Sequence, residues 1–394
     1  MKILEALLNI YYNEMVQVEV MRRKHLLLLI SDLDVPHEVI ELLKQLKQDS
    51  GENPDGLVQF DVIWMPVVDM YSRPNWHALF EELKETMPWL ALHPTVMIQP
   101  WVTNYIKEEL YFKRKPIVVT VDPQGKVTCK NALHMLWIWG NKAFPFSDDK
   151  EAALWKTQTW NLNLLVHGPT DTELRHWVGG KRLICLYGGE NIKWIREFTG
   201  AVKAFAKAAS CISLGLVYVG KSNSKKANKI ACTIKDEQLS DCWPATKRSL
   251  YYCSFWARLE SMLYSKLKQY NKANMVDQYD IIMKEVMTIL SFDGSDHDWA
   301  IFCEGSSGGL TRAAKGETAL RSMLEYRSWF HEVSCKDDIS MVVALNGYLR
   351  QIHNSHHCLR LVFTEINLGV PEKLKCVECG RQMEKNIMYC CCVD

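Results

Sequence analysis

The residues best suited to chemistry in this 394-residue chain are its 14 cysteines, five of which lie between Cys376 and the C-terminus. Cys376 and Cys379 form a C-x2-C pair, and ten residues further on come Cys390, Cys391 and Cys392. Structural zinc is held tetrahedrally by thiolates from such a turn and a second, distant pair. Cys376, Cys379, Cys391 and Cys392 are the expected metal set, with His353, His356 and His357 upstream as further donors. Adjacent cysteines chelate one ion through a strained ring, so redox or intermolecular disulfides and free thiols stay open for the same cluster. Cys185, Cys211, Cys253 and Cys303 sit among apolar neighbours and are expected to be inert packing residues.

Two further motifs fail on their residue types. Gly215-Leu-Val-Tyr-Val-Gly220-Lys221-Ser222 satisfies the Walker A pattern. A phosphate cradle needs a loop of inward-turned backbone N–H groups and a helix opening at the lysine. Leu216, Val217, Tyr218 and Val219 are strand formers, and SNSKKANK behind them reads as a basic loop, so no nucleotide is expected. The acidic segment Asp293-Gly-Ser-Asp296-His297-Asp298 lacks the ligand spacing of an EF-hand, so calcium is unsupported and a solvated turn is expected. No acid/base pair or Ser–His–Asp pattern is recognisable, and no catalytic residue is assigned.

The elements that must position these residues alternate between strand and helix. HLLLLIS (25–31) reads as a buried strand followed by a helix through Leu42 and Leu46; Phe60–Val67 is a second strand and Asn75–Thr86 a second helix. A helix near 101–110 precedes KPIVVTVDPQGKV, two strands joined by a Pro-Gln-Gly turn. Asp34 is expected to cap the first of these helices, with Pro36 in its first turn. A composition change at Ser147–Lys150 marks a boundary, beyond which Lys181–Gly189, a helix over 191–209 and LGLVYVG form a βαβ unit. Long helices over 250–270 and 279–290, the strand WAIFCEG, helices near 318–333 and 339–352 and the strand CLRLVFTEI complete the chain. The fold class is α/β.

Composition narrows the partners. Forty-seven Lys+Arg against 46 Asp+Glu leave a net charge of +1, and the basic residues are dispersed, so nucleic acid is not expected. No apolar run approaches the roughly 20 residues of a spanning helix. Residues 1–24 read as an amphipathic helix, because Glu5, Asn9 and Glu14 interrupt any signal-type run, and the protein is expected in the cytoplasm.

The order of elements in the first half, with Met87-Pro88-Trp89, the KPIVVTVDPQGKV hairpin and Ala143-Phe144-Pro145-Phe146, resembles the thioredoxin fold, most closely its nucleoredoxin and tryparedoxin branch. The resemblance implies a cis-proline at Pro116. The dithiol of that fold belongs where the first strand meets its helix; Asp34, Val35, Pro36 and His37 stand there, and no cysteine occurs before Cys129.

Longer strings go further: LLLLISDLD, VDPQGKV with NALHMLWIWG, ICLYGGEN with WIREFT, VYVGKSN, LSFDGSD and CVECGRQMEKNIMYCCC are similar to the sieve element occlusion family of plants, the phloem P-proteins and forisome subunits. The resemblance implies a non-enzymatic structural protein of sieve elements that assembles with itself and other family subunits and helps plug sieve plates after wounding. It also implies a thioredoxin-like domain (25–150) without its dithiol, a second, family-specific α/β domain (151–370) and a short Cys-rich tail (371–394). A further N-terminal domain of the family has no counterpart here, so the chain is expected to be a fragment, the product of a mispredicted gene structure or a shortened paralogue. The alternative is a nucleoredoxin-like thiol oxidoreductase that uses the terminal cysteines.

Overall fold

A computed structural model describes residues 23–51, 59–68, 74–92, 100–113, 115–166, 182–209, 213–220, 224–242, 248–273, 280–293, 297–304, 311–330, 341–352, 359–362, 374–377 and 379–385. The chain divides into two compact units between Thr157 and Gln158, one helix later than the boundary expected at 150/151.

The N-terminal unit runs β1 (His25–Ser31), α1 (His37–Gly51), β2 (Phe60–Pro66), α2 (Trp76–Thr86), β3 (Leu90–Ala91), α3 (Pro100–Glu108), β4 (Ile117–Val121), β5 (Val127–Cys129), α4 (Leu133–Trp139), a 3-10 turn (Gly140–Ala143) and α5 (Asp148–Thr157). Its sheet has the order β3-β2-β1-β4-β5. Neighbours β1, β2 and β3 are parallel, β4 is antiparallel to β1, and β5 is antiparallel to β4. Leu26 to Ile30 are all buried, the pattern of a central strand covered on both faces. Leu26, Leu28 and Ile30 join Ile106, Leu110 and Phe112 in one cluster. Trp64 of β2 stacks on Phe80 of α2 and donates its indole N–H to Ser31 Oγ at 2.8 Å, which satisfies a polar atom that burial would otherwise strand.

Two local expectations are corrected. Helix α1 opens at His37, and the local side-chain bond there comes from Asp32, whose carboxylate accepts from the Asp34 backbone N–H at 2.8 Å. Asp34 is thus the backbone N–H donor of an Asx-type turn whose acceptor is Asp32. Among the described residues the cis peptide is Phe144–Pro145, so the assignment of that isomer to Pro116 is wrong. Pro116 leads straight into the extended strand β4, a path that the ordinarily favoured trans bond serves without a reversal.

The C-terminal unit runs α6 (Leu162–Val166), β6 (Arg182–Gly188), α7 (Ile192–Ala208), β7 (Ser213–Tyr218), α8 (Ser224–Asp236), β8 (Asp241–Cys242), α9 (Arg248–Ala273), α10 (Ile281–Asp293), β9 (Trp299–Glu304), β10 (Thr311–Lys315), α11 (Gly316–Leu324), α12 (Arg327–Phe330) and α13 (Met341–Ile352). Its sheet has the order β10-β9-β6-β7-β8, with β6, β7 and β8 parallel and β9 and β10 antiparallel to their neighbours. Leu183 to Tyr187 are fully buried, so both faces of this sheet are covered too. Among the described residues no helix is long and apolar enough to cross a membrane. The strand expected from Cys358 is absent over 359–362, and the rest of it lies outside the described residues, as does the helix expected over 1–24 apart from its last two positions.

Helix α7 shows how local sequence sets an element. Asn191 is its N-cap, its side-chain oxygen accepting from the N–H groups of Lys193 (3.1 Å) and Trp194 (3.3 Å), while Trp194, Ile195, Phe198, Val202 and Phe205 form its buried stripe. Asn191→Ala is expected to lower stability by about 1 kcal/mol, read from the urea midpoint at unchanged slope; an unaltered midpoint would show that the cap contributes nothing.

Candidate functional site

The corner where a thioredoxin-type dithiol would stand is built by the end of β1 and the start of α1. Asp32, Leu33, Asp34, Val35 and Pro36 occupy it, and the nearest bonds are the Asp32–Asp34 turn and the Val39 N–H donating to Pro36 O at 3.0 Å. There is no thiol for the helix N-terminus to activate.

Elsewhere Cys185, Cys253 and Cys303 are packing residues, as expected. Cys185 on β6 and Cys303 on β9 are fully buried and Cys253 on α9 is buried, while Cys211 lies outside the described residues. Burial pushes the Cys303 thiol up to about 12, and burial with the nearby Cys303 pushes Cys185 up as well. Thiols held protonated and out of water are neither nucleophiles nor ligands.

The Walker-like string is disqualified by geometry. Gly215, Leu216, Val217 and Tyr218 all belong to β7, and Leu216 through Val219 are buried. Tyr218 uses its hydroxyl to donate to Gly189 O at 2.9 Å, and burial, with Tyr252, Tyr187, Glu190 and Asp298 around it, pushes its pKa up. The expected basic loop is instead the start of α8, because Ala227, Ala231 and Ile234 recur at helical spacing and are buried. Lys221 lies outside the described residues.

The acidic turn is corrected at its last residue only, since residues 294–296 lie outside the described residues and His297 is exposed. Asp298 is buried rather than solvated. Its carboxylate accepts from the Asn191 N–H at 3.2 Å, and its carbonyl accepts from the Gly316 N–H at 2.6 Å. Trp194 donates its indole N–H to Gly316 O at 3.0 Å. Asp298 thus ties the loop after β6 and the start of α11 to the head of β9. A second buried pair unseen in the sequence joins α4 to α5: His134 Nε2 lies 2.8 Å from Glu151 Oε1, with side chains 0% and 3% exposed. Both arrangements join elements.

Of the expected metal set, Cys376 and Cys379 fall on a small hairpin, β11 (Leu374–Lys375) and β12 (Gln382–Met383). Cys376 is 4% exposed and Cys379 is exposed. Cys391, Cys392 and the three upstream histidines lie outside the described residues, within which no cluster of three metal-ligating side chains occurs.

These features describe two α/β units, the first without a thiol where β1 meets α1, and a small hairpin that carries Cys376 and Cys379. The chain belongs to the sieve element occlusion family: residues 149–393 match the family model "Sieve element occlusion C-terminus". It is 35% identical over 403 residues to Protein SIEVE ELEMENT OCCLUSION B of Arabidopsis thaliana, a match covering 96% of this chain and 52% of that relative. It is 34% identical over 388 residues to Protein SIEVE ELEMENT OCCLUSION A, covering 96% and 45%, and 28% identical over 321 residues to Protein SIEVE ELEMENT OCCLUSION C, covering 80% and 44%, both of the same plant. The chain therefore spans about half the length of the curated relatives it matches. Among solved structures a mutant tryparedoxin-I is 19% identical with a TM-score of 0.27, covering 34% of this chain and 87% of that one, a likeness too slight to bear on fold or chemistry.

Proposed function

We propose that this chain is a non-enzymatic structural protein of phloem sieve elements. In this reading it acts in the cytoplasm of those cells as a subunit that assembles with its own copies and with other family members, and the assemblies occlude sieve plates after wounding. The observation that carries the reading is membership of the sieve element occlusion family, whose Arabidopsis relatives carry occlusion in their names. The absence of any thiol at the β1–α1 corner supports the non-enzymatic half. The thiol-oxidoreductase alternative has no support. The N-terminal unit is read as thioredoxin-like, which its strand order supports, with a central β1 between parallel β2 and antiparallel β4 and a closing β4–β5 hairpin. A net charge of +1 favours self-association, since near-neutral surfaces repel one another least.

Sedimentation velocity and negative-stain electron microscopy test this on the purified chain, alone and co-expressed with a full-length family member. Filaments or co-assembled particles are expected in the mixture. Dispersed monomers under every condition would overturn the assembly reading.

A further inference from the structure

We propose that the exposed side of α7 and α8 is a docking surface for a second copy of this chain and receives the acidic side of that copy's α1 and α2, a contact that rests on the reading of the chain as an assembling subunit. The two units share one topology. The first runs β1-α1-β2-α2-β3 with parallel strands, then sets β4 antiparallel beside β1 and β5 beside β4. The second repeats this as β6-α7-β7-α8-β8, with β9 antiparallel beside β6 and β10 beside β9. Helices α1 and α2 therefore have α7 and α8 as their counterparts.

Form is repeated while charge is inverted. Helices α1 and α2 carry six Asp and Glu against three Lys, a formal charge of −3, whereas α7 and α8 carry eight Lys and Arg against two Asp and Glu, a formal charge of +6. The whole units follow the same signs: residues 1–157 hold 17 Lys+Arg against 21 Asp+Glu (−4), and residues 158–394 hold 30 against 25 (+5). A net charge of +1 thus conceals two opposite halves. Pairing within each unit leaves the excesses unspent. The three lysines of the acidic helix pair are occupied at home, Lys44 by Glu41 at 2.7 Å, Lys47 by Asp61 at 2.7 Å and Lys84 by Glu81 at 3.4 Å. Glu82 and Glu85 are exposed on α2, on the side opposite the buried Phe80, with no cation beside them among the described residues.

On the basic pair, Arg196 holds Glu237 at 2.6 and 2.8 Å and Lys203 donates to Gln238 O at 2.8 Å, which joins α7 to the end of α8. Lys193 and Lys207 on α7 and Lys229 on α8 are exposed and have no carboxylate partner among the described residues. Gly200 and Ala204, exposed on the same side of α7, put no bulk between its lysines and an approaching helix. Like charges gathered on one surface repel, and a partner's carboxylates relieve that repulsion, steer the encounter and fix its register. Each copy supplies those carboxylates. Because the contact joins two different patches, every copy keeps one of them for the next, so association runs on into rings or filaments.

Sedimentation velocity of the full chain is expected to show association at about 50 mM salt that weakens about tenfold or more at about 1 M, where the screening length falls to roughly 3 Å. Lys193→Glu with Lys207→Glu and Lys229→Glu, and separately Glu82→Lys with Glu85→Lys, should each weaken it about tenfold or more with an unchanged circular dichroism spectrum. An equimolar mixture of the two variants should return to within about threefold of the wild type, because reversed faces then meet each other and intact faces meet each other. Lys113→Glu with Lys126→Glu and Lys156→Glu, exposed lysines of the first unit, should leave association undiminished. No recovery in the mixture would overturn the pairing. So would a loss confined to the lysine variant, which would place the acidic partner on another molecule. Association equal to wild type in both variants would overturn the contact and leave assembly itself standing, and wild-type chains monomeric at every salt concentration would overturn the contact while co-assembly with a full-length family member decides the rest. Should a reversal disturb the fold, Glu82→Gln with Glu85→Gln decides: a weakening of about threefold or more is expected, and none would sink the proposal.

Discussion

Replacing His134 by alanine is expected to destabilise the N-terminal unit by about 3–5 kcal/mol, the cost of removing one partner from a fully buried pair. His134 and Glu151 lie 2.8 Å apart with almost no exposure, on helices that also meet through the edge-to-face rings of Trp139 and Trp155. With the imidazole gone, the carboxylate loses the His134 hydrogen bond and a cavity opens between α4 and α5 at a place water does not reach. Glu151→Ala should cost a similar amount for the mirrored reason. The pair is expected to be strongly coupled: changing both residues to leucine should recover most of the loss, because apolar groups of similar volume leave no polar atom to satisfy. Urea unfolding of the full chain, following the transition of the N-terminal unit, checks this. A single variant within about 1 kcal/mol of the wild type would show that the pair is not holding the two helices together.

Segments buried on both faces were legible in the sequence, and elements that are short or held from far away were not. HLLLLIS, IVVTV and RLICLYG are continuous apolar runs, and each became a central strand. The edge strands β8 and β10 carry no such run: Thr311–Lys315 reads TRAAK, and only its pairing with β9 makes it a strand. The start of α8 looked like loop because lysine, serine and asparagine dominate it, while the signal was three small or apolar residues at 227, 231 and 234. For the candidate sites, absence was legible and long-range contact was not. That no thiol stands before Cys129 is plain in the sequence. That Asp298, in a segment resembling a solvated acidic turn, binds a backbone N–H 107 positions earlier depends on the antiparallel register of β9 on β6, which residue types do not encode locally.

That clasp makes Gly188, the last residue of β6, and Gly189 behind it sensitive to any side chain. Gly189 has φ +135, a backbone region closed to side chains, and a Cβ there would lie 1.9 Å from Asp298 Oδ1 and 2.9 Å from Asp298 Cα. The carboxylate cannot simply swing aside, since it accepts from the Asn191 N–H while its own backbone is fixed by Gly316. A Cβ on Gly188 would meet the Gly220 carbonyl oxygen at 2.5 Å and the Trp299 ring at 2.5 Å. Trp299 is itself wedged among Phe255, Phe292 and Trp256, so neither neighbour can retreat without opening the core. Backbone strain and overpacking together place Gly189→Ala at about 2–6 kcal/mol of lost stability. For Gly188→Ala, where the clash is with backbone and a packed ring, about 3 kcal/mol or more is expected. Gly200 supplies the opposite sign within the same unit: it lies exposed in the middle of α7 with nothing within 4 Å of where a Cβ would stand, so Gly200→Ala should raise stability by about 0.5–1 kcal/mol. Urea unfolding of the three variants separates a specific clasp from a general intolerance of alanine. Losses at 188 and 189 beside a gain at 200 are expected, and stabilities at 188 and 189 within about 1 kcal/mol of the wild type would mean that the loop after β6 moves freely and that Asp298 does not hold it.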